Sequence, residues 1–192
     1  MKNTRISRVE VFLLLILLLF GVPMILLIPP GAGYDEEDHL VRVWELSAFS
    51  IVPGQMSPQE LRYPTIFRDF AYRQQGSTGI IDAGFWQSYA RAAVYERGFV
   101  RREIDTKSVY SPALLLPQAV MINLFGRVAD LPALPVFYAA RFAGLLSYLL
   151  LTWLAIRQIP FGKWILLVLA AAPVALFQAA TTTPDAISNG IG

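Results

Sequence analysis

The sequence predicts an all-α integral membrane protein with about three transmembrane helices and a large helical first extracytoplasmic loop. Of its 192 residues, 55% are hydrophobic and only 16% are charged, whereas about a quarter of the residues of a soluble domain are charged. The hydrophobic residues concentrate in three stretches, 11–28, 134–156 and 164–180. This segregation is typical of membrane spans rather than of one globular core.

Composition also excludes several functional classes. The chain has no cysteine, which excludes disulfides and thiolate metal sites. Its net charge is +2, but the basic residues are dispersed and form no stripe beside aromatic side chains. We therefore expect the lipid bilayer, and no nucleic acid, as a partner.

The first apolar stretch, 11–28, contains no charged residue. As a helix it would be about 27 Å long, close to the thickness of a hydrocarbon core, and a membrane helix tolerates Pro23. A cleaved signal peptide is the alternative, but residues 29–33 fit a cleavage site poorly, which favours an uncleaved span. Basic residues in the segment 1–10 place that segment in the cytoplasm by the positive-inside rule.

The next two spans are predicted over 134–156 and 164–180. The loop between them, 157–163, is short and carries two basic residues, so we expect it in the cytoplasm. Residues 29–133 then form the first extracytoplasmic loop, and residues 181–192 begin the second.

The first loop is too long to be a connection without structure of its own. Helices are predicted over 35–49, 65–75 and 84–97, and neither strand alternation nor an internal repeat is visible. Three dipeptides predict breaks between elements: Pro53-Gly54, Tyr63-Pro64 and Gly76-Ser77.

Residues 111–126 are apolar but short for a crossing, and Pro117 and Asn123 interrupt them. We interpret the stretch as an interfacial or juxtamembrane helix pair. A short tilted span is the alternative, although it would force the basic loop 157–163 outside.

Candidate chemistry begins where the chain leaves the first span. Asp35, His39 and Arg42 stand at i, i+4 and i+7, which predicts one helical face with Glu36 on its edge. Such a cluster can bind a metal or a phosphate, or move a proton, and Asp35, Glu36 and His39 are the candidate metal ligands. The alternative is that the acidic residues only stabilise a helix start and that His39 and Arg42 are ordinary solvated side chains.

Two further residues stand out in the later part of the chain. Arg141 lies about seven residues into the second predicted span, where a charge is costly. It can meet a lipid phosphate or an acidic residue, or its long stem can extend to the interface. Asp185 follows the third span, where it either caps the next helix or faces Asp35 and Glu36 across an outer cavity. If Asp35, Glu36 and Asp185 converge there, Arg141 should open toward the same cavity.

Several short motifs resemble the bacterial membrane-protein family called domain of unknown function 2142. They occur in the family's order along nearly the whole chain, and this order is more specific than any one motif. The matching residues are Asp35-Glu36 with His39 and Arg42, Tyr110-Ser111-Pro112, Leu116-Pro117-Gln118, Gly126-Arg127, Tyr138 to Arg141, Ile159 to Lys163, Pro173, and Pro184-Asp185.

That family is similar to membrane glycosyltransferases of the GT-C type, and the resemblance implies transfer of a sugar from a polyprenyl-phosphate donor on the extracytoplasmic face. It implies acidic residues in the first outer loop and in the next one. A divalent metal is a candidate cofactor, but the sequence leaves the cofactor open. The expected site residues are Asp35, Glu36 and Asp185 as catalytic groups, and His39, Arg42 and Arg141 as substrate-binding groups.

A second functional class remains open. In it the protein is non-catalytic, either a lipid-linked sugar transporter or an assembly partner, and the acidic cluster is structural. The resemblance also implies many more spans than are present here, so we expect this chain to correspond to an N-terminal portion of such a protein.

Overall fold

The computed structural model describes residues 6–52, 62–76, 83–101 and 110–191, and these residues are predominantly helical. The helices are α1 (Arg8–Leu27), α2 (Glu36–Ser47), α3 (Thr65–Gly76), α4 (Ala83–Ala90), α5 (Pro112–Val128), α6 (Ala133–Gln158), α7 (Lys163–Ala170), α8 (Pro173–Ala179) and α9 (Asp185–Ile191); the strands are β1 (Arg62–Pro64) and β2 (Phe99–Arg101).

Two helices of the described residues, α1 and α6, are long and apolar enough to cross a bilayer. Helix α1 begins at a capping box in which Ser7 and Glu10 satisfy each other's backbone amides. Its turns widen to π-helical geometry over Leu17–Gly21, just before Pro23, which has no N–H to donate to the helix. The first and second predicted spans are therefore confirmed as apolar helices.

The predicted third transmembrane helix is interrupted. Residues 164–180 form two short helices, α7 and α8, separated by Ala171 and Ala172. Pro173 begins α8, and the residue before it has extended backbone with ψ of 135°, as proline requires of its predecessor. The prediction of one continuous helix over this stretch is therefore wrong.

The described part of the first loop is helical with one small exception. Helices α2 and α3 confirm two predicted helices, whereas α4 ends at Ala90 instead of continuing to Arg97. Strands β1 and β2 pair antiparallel, with Tyr63 opposite Val100, and no strand was predicted because three residues are too few to show alternation. The predicted breaks at Pro53-Gly54 and at Ser77 lie outside the described residues.

The apolar stretch before α6 forms one helical run, α5, rather than the predicted pair. Pro117 lies in the first turn of its α-helical part, where a missing N–H breaks no hydrogen bond. Gln118 of α5 lies beside Gly144, and Gly126 lies beside Val136. Helix α5 therefore packs antiparallel on the first half of α6.

The buried apolar residues form two clusters that meet along α6. The first half of α6 packs against the loop helices, in a cluster that includes Leu40, Trp44, Phe67, Phe70 and Phe137. The second half packs against α1, α7 and α8, in a cluster that includes Leu13, Ile25, Leu145, Tyr148 and Leu167. Arg141 lies on α6 between the two clusters.

Candidate functional site

The entry into α2 separates two neighbouring acidic residues. Asp35 precedes the helix with a φ of 52°, in the left-handed region that aspartate tolerates better than most residues. Its side chain is exposed, whereas Glu36, the first helical residue, is fully buried. Because Asp35 is not in helical geometry, the predicted i, i+4, i+7 face does not extend to it. His39 and Arg42 are buried on α2 itself.

Glu36 forms a bidentate ion pair with Arg141 of α6. Arg141 Nε donates to Glu36 Oε1 at 2.8 Å, and Nη2 donates to Oε2 at 2.7 Å. Both side chains have no exposed surface. Parallel N–H donors on a carboxylate make this the strongest geometry available to an ion pair. Of the alternatives that the sequence left open for Arg141, the structure therefore shows the contact with an acidic residue.

The remaining donors of Arg141 bind the end of α1. Nη1 donates to the carbonyl oxygens of Ile25 and Ile28, at 3.1 and 2.6 Å, and Nη2 donates to that of Pro29 at 3.0 Å. The last carbonyls of a helix have no partner within the helix. Arg141 thus satisfies them and uses all five of its N–H groups in doing so.

The remaining acceptor capacity of Glu36 is also used. Oε1 accepts from the backbone amide of Thr182 at 2.8 Å, and Oε2 accepts from the amides of Gly31 and Gly33 at 3.0 and 3.2 Å. Burial opposes ionisation of this carboxyl, but the charge and hydrogen bonds of Arg141 and the backbone amides outweigh it. The pKa of Glu36 is therefore lowered.

Gly33 allows the close approach of the segment before α2 and the segment that follows α8. A side chain there would meet the Thr181 Cβ atom at 2.9 Å, closer than carbon atoms pack. Tyr34 also contacts this segment, since its ring lies 5.9 Å from that of Phe177. The first loop thus lies directly on the chain that follows α8.

Asp185 lies three residues beyond Thr182, at the first position of α9, which confirms that a helix begins there. Its side chain is half-buried and accepts a hydrogen bond from Gln178 Nε2 at 2.9 Å. The contact between the two acid-bearing segments is made by Glu36 and the Thr182 amide. The joint cavity predicted for Asp35, Glu36 and Asp185 stays a prediction.

The two other predicted substrate ligands are engaged within the fold. The His39 ring packs edge-on against Tyr110, with ring centres 5.4 Å apart. Arg42 pairs with Glu45 and donates to the carbonyls of Ser50 and Ile51. Arg42 therefore holds the chain just after α2.

The predicted metal ligands do not assemble into a metal site in the described part of the chain. No group of three or more histidine, aspartate or glutamate side chains there can hold an ion. Glu36 in particular accepts from five N–H groups, so its carboxylate does not fit the role of a metal ligand.

Sequence reasoning missed Gly33, Thr182 and Glu45. Gly31 and Gly33, a few residues before an acidic pair, were a usable signal, because backbone amides that no side chain shields can reach a carboxylate. Glu45 was detectable as the i+3 partner of Arg42. The amide of Thr182 carries no signal in a side-chain pattern.

Comparison with known proteins agrees with the family resemblance. The family described as predicted membrane protein DUF2142 matches residues 18–191. No curated protein and no solved structure matches the chain. The match covers most of the 192 residues and includes the second half of α1 and all of α2, α6 and the Thr182 segment. The chain therefore belongs to the DUF2142 family of predicted membrane proteins.

Proposed function

We propose that this chain is a multi-pass membrane protein that transfers a sugar from a polyprenyl-phosphate donor on the extracytoplasmic face, with Asp35 as the base. The observation that carries the proposal is the hydrogen bond between Glu36 and the Thr182 amide. It joins the first acid-bearing outer segment to the second, and it leaves Asp35 exposed beside the junction.

The helix contacts support the topology that this proposal needs. Gly21 lies against Leu145, and Ile28 lies at Arg141, so α1 and α6 run antiparallel. Tyr148 of α6 donates to the carbonyl of Ala170 at the end of α7 at 2.8 Å. Helices α7 and α8 then return to the level of Glu36. We propose that α1 leads outward, α6 inward, and α7 with α8 outward again, with the N-terminus in the cytoplasm.

This arrangement also revises the depth of Arg141. Its guanidinium binds carbonyls at the end of α1, and the part of α6 that precedes it packs with the loop helices. We propose that the outer membrane boundary lies near Arg141 and that the first turns of α6 project beyond it. The crossing part of α6 is then about 18 residues long, roughly 27 Å, which suits a hydrocarbon core.

The chemistry requires a base because the acceptor hydroxyl must lose a proton as it attacks the sugar. Asp35 is suited to this task because its side chain is exposed while its backbone is fixed by the neighbouring Glu36–Arg141 pair. Glu36 is less suited because Arg141 and three amides already surround it. Arg141 has no N–H group left for a phosphate, so we assign it the role of positioning Glu36.

The test uses the complete protein in lipid vesicles with a polyprenyl-phosphate-linked sugar as donor. We expect Asp35→Asn to lower sugar transfer by about 10²- to 10⁴-fold, the usual contribution of a general base. Asp38→Asn is the matched control, because it removes a carboxylate from the same helix start and should retain transfer. Full transfer by Asp35→Asn would exclude the base role, and no transfer by the unaltered protein would exclude the enzyme.

The non-catalytic alternative has one specific observation in its favour. Glu36, Arg141 and Arg42, the charged residues at the predicted site that are buried, all have partners inside the protein. A purely structural role for these charges fits a lipid-linked sugar transporter or an assembly partner. Movement of the labelled lipid-linked sugar across vesicles without sugar transfer would favour this alternative.

A further inference from the structure

A second feature lies along the second half of α6, on the same helical face as Arg141 but about two turns farther along the helix. A groove of about 470 Å³ separates the second half of α6 from α7, α8 and the end of α9. This volume lies within the range of sites that bind small molecules. Helix α6 presents Tyr148, Thr152 and Ala155 to the groove, a spacing that defines one helical face, and Ile159 just after the helix lines it as well.

The chemistry of the groove favours a hydrocarbon. None of the described residues that line it is charged, so a charged group inside it would lose its solvation without compensation. Most of its polar groups are already paired: Tyr148 donates to Ala170, Gln178 donates to Asp185, and Asn189 donates to Gln178. The exception is the buried Thr152 hydroxyl beside Tyr148.

The dimensions and the rim suit one lipid chain. From Tyr148 to Ile159 the helix rises about 16 Å, roughly half of a 30 Å hydrocarbon core. Large apolar side chains at the rim are exposed, namely Leu169, Val174 and Ile191. In a bilayer they would face lipid, so a chain can enter the groove from the side.

A positive charge, that of Lys163, lies near one end of the groove, although Lys163 is not among the residues that line it. Ile159 and Leu166 line this end, on either side of the turn that joins α6 to α7. Lys163 begins α7 one turn before Leu166 and has no ion-pair partner among the described residues. Arg157 lies in the same region but on the opposite face of α6, with its guanidinium over the Trp153 ring at 5.0 Å.

We propose that the groove holds one acyl chain of an anionic phospholipid from the surrounding bilayer, with the phosphate of the lipid against Lys163. The apolar walls accept the chain, and the ammonium group attracts the phosphate. This site rests on other residues than the sugar-transfer proposal, because Asp35, Glu36 and Arg141 do not line the groove; Gln178, which lines it, contacts Asp185.

The test measures lipid retention by native mass spectrometry of the full chain, with phosphatidylglycerol and phosphatidylcholine as probes. We expect one phosphatidylglycerol to be retained about fivefold more strongly than phosphatidylcholine, the preference expected from one basic residue at a membrane surface. Lys163→Gln should abolish this preference. Arg157→Gln should keep it, because it removes the same charge from the opposite face.

Blocking the groove tests the chain-binding half of the proposal. Ala155→Phe should abolish retention of both lipids, and Leu154→Phe, one residue away and outside the groove, should not. Equal losses in the two glutamine variants would overturn the proposal, since they indicate surface attraction only. Retention by a folded Ala155→Phe variant would overturn it as well, and so would a crosslink from Leu169 to a second copy of the chain instead of to lipid. If Ala155→Phe does not fold, the glutamine pair decides.

Discussion

Helix α2 carries two buried ion pairs of arginine and glutamate, and they differ in how far each reaches along the chain. Glu36 binds Arg141, 105 residues away, whereas Arg42 binds Glu45, three residues away. The first pair also binds the end of α1 and the Thr182 amide. The second binds the chain just after α2.

The comparison teaches that burial alone does not set the importance of an ion pair. Both pairs must offset the cost of removing two charges from water. The long-range pair uses its surplus donors and acceptors to join α1, α2, α6 and the Thr182 segment, so its loss should disturb the whole fold. The short-range pair closes one turn, so its loss should disturb that turn.

The largest effect is expected from Arg141→Met. Methionine fills similar space but leaves Glu36 buried without its partner, and we expect a loss of about 3–5 kcal/mol in the free energy of unfolding. Thermal unfolding in detergent measures it. Combining Arg141→Met with Glu36→Gln should recover part of the loss, because the unpaired charge is then gone. A loss below about 1 kcal/mol for the single variant would contradict the central role of this pair.

The second expected effect is acid sensitivity. Because the pKa of Glu36 is lowered in the folded protein, its ionisation stabilises the fold above the ordinary glutamate value of about 4.3. This contribution should be lost as the pH falls through the lower folded value. Glu36→Gln should be less stable at neutral pH and should lose less stability on acidification. Glu37→Gln is the control, since it removes a carboxylate from the same turn; an equal flattening in both variants would count against Glu36.

Which features were predictable depends on how local their causes are. The acidic start of α2 and the uncharged run of α1 are local patterns, and both predicted helices are confirmed. A charge in an apolar stretch needs a partner, so an acidic residue was one of the contacts that the sequence left open for Arg141. Spacing could not select Glu36 among the four neighbouring acidic residues, because the choice depends on the left-handed backbone at Asp35.

The interruption of the predicted third transmembrane helix, 164–180, could not be predicted from a local pattern. Pro173 was visible in the sequence, but the hydrophobicity of 164–180 is continuous across it and indicates only an apolar environment. Whether proline bends a helix or divides it depends on how neighbouring helices satisfy the freed backbone groups. That information is tertiary, and so is the contact between Glu36 and Thr182.

A smaller effect is expected from Arg42→Met. It removes the partner of Glu45 and the donors to Ser50 and Ile51, and we expect a loss of about 1–3 kcal/mol. Hydrogen exchange should accelerate at the amides of residues 48–52 and remain unchanged at Thr182. In Arg141→Met the Thr182 amide should lose its protection. If Arg42→Met also exposed Thr182, the distinction between a local and a long-range pair would fail.

The smallest effect concerns Phe49, in the turn that Arg42 holds. The amide of Phe49 donates to the Leu46 carbonyl at 2.9 Å, and the amide of Ser50 donates to the Glu45 carbonyl at 3.4 Å. This is the hydrogen-bond pattern of a Schellman motif, in which glycine is usual at the position that Phe49 occupies. Phe49 instead adopts a φ of 64° and is 83% exposed.

A left-handed backbone costs a residue with a side chain roughly 1–2 kcal/mol. Glycine avoids this cost but loses about 0.5–1 kcal/mol more conformational entropy on folding. Phe49→Gly should therefore stabilise the protein slightly, and Phe49→Ala, which keeps the strain and loses little buried area, should not. We expect glycine to exceed alanine by about 1 kcal/mol in thermal unfolding. The reverse order would mean that the Phe49 ring makes a contact whose loss outweighs the strain, and the turn would then depend on more than Arg42.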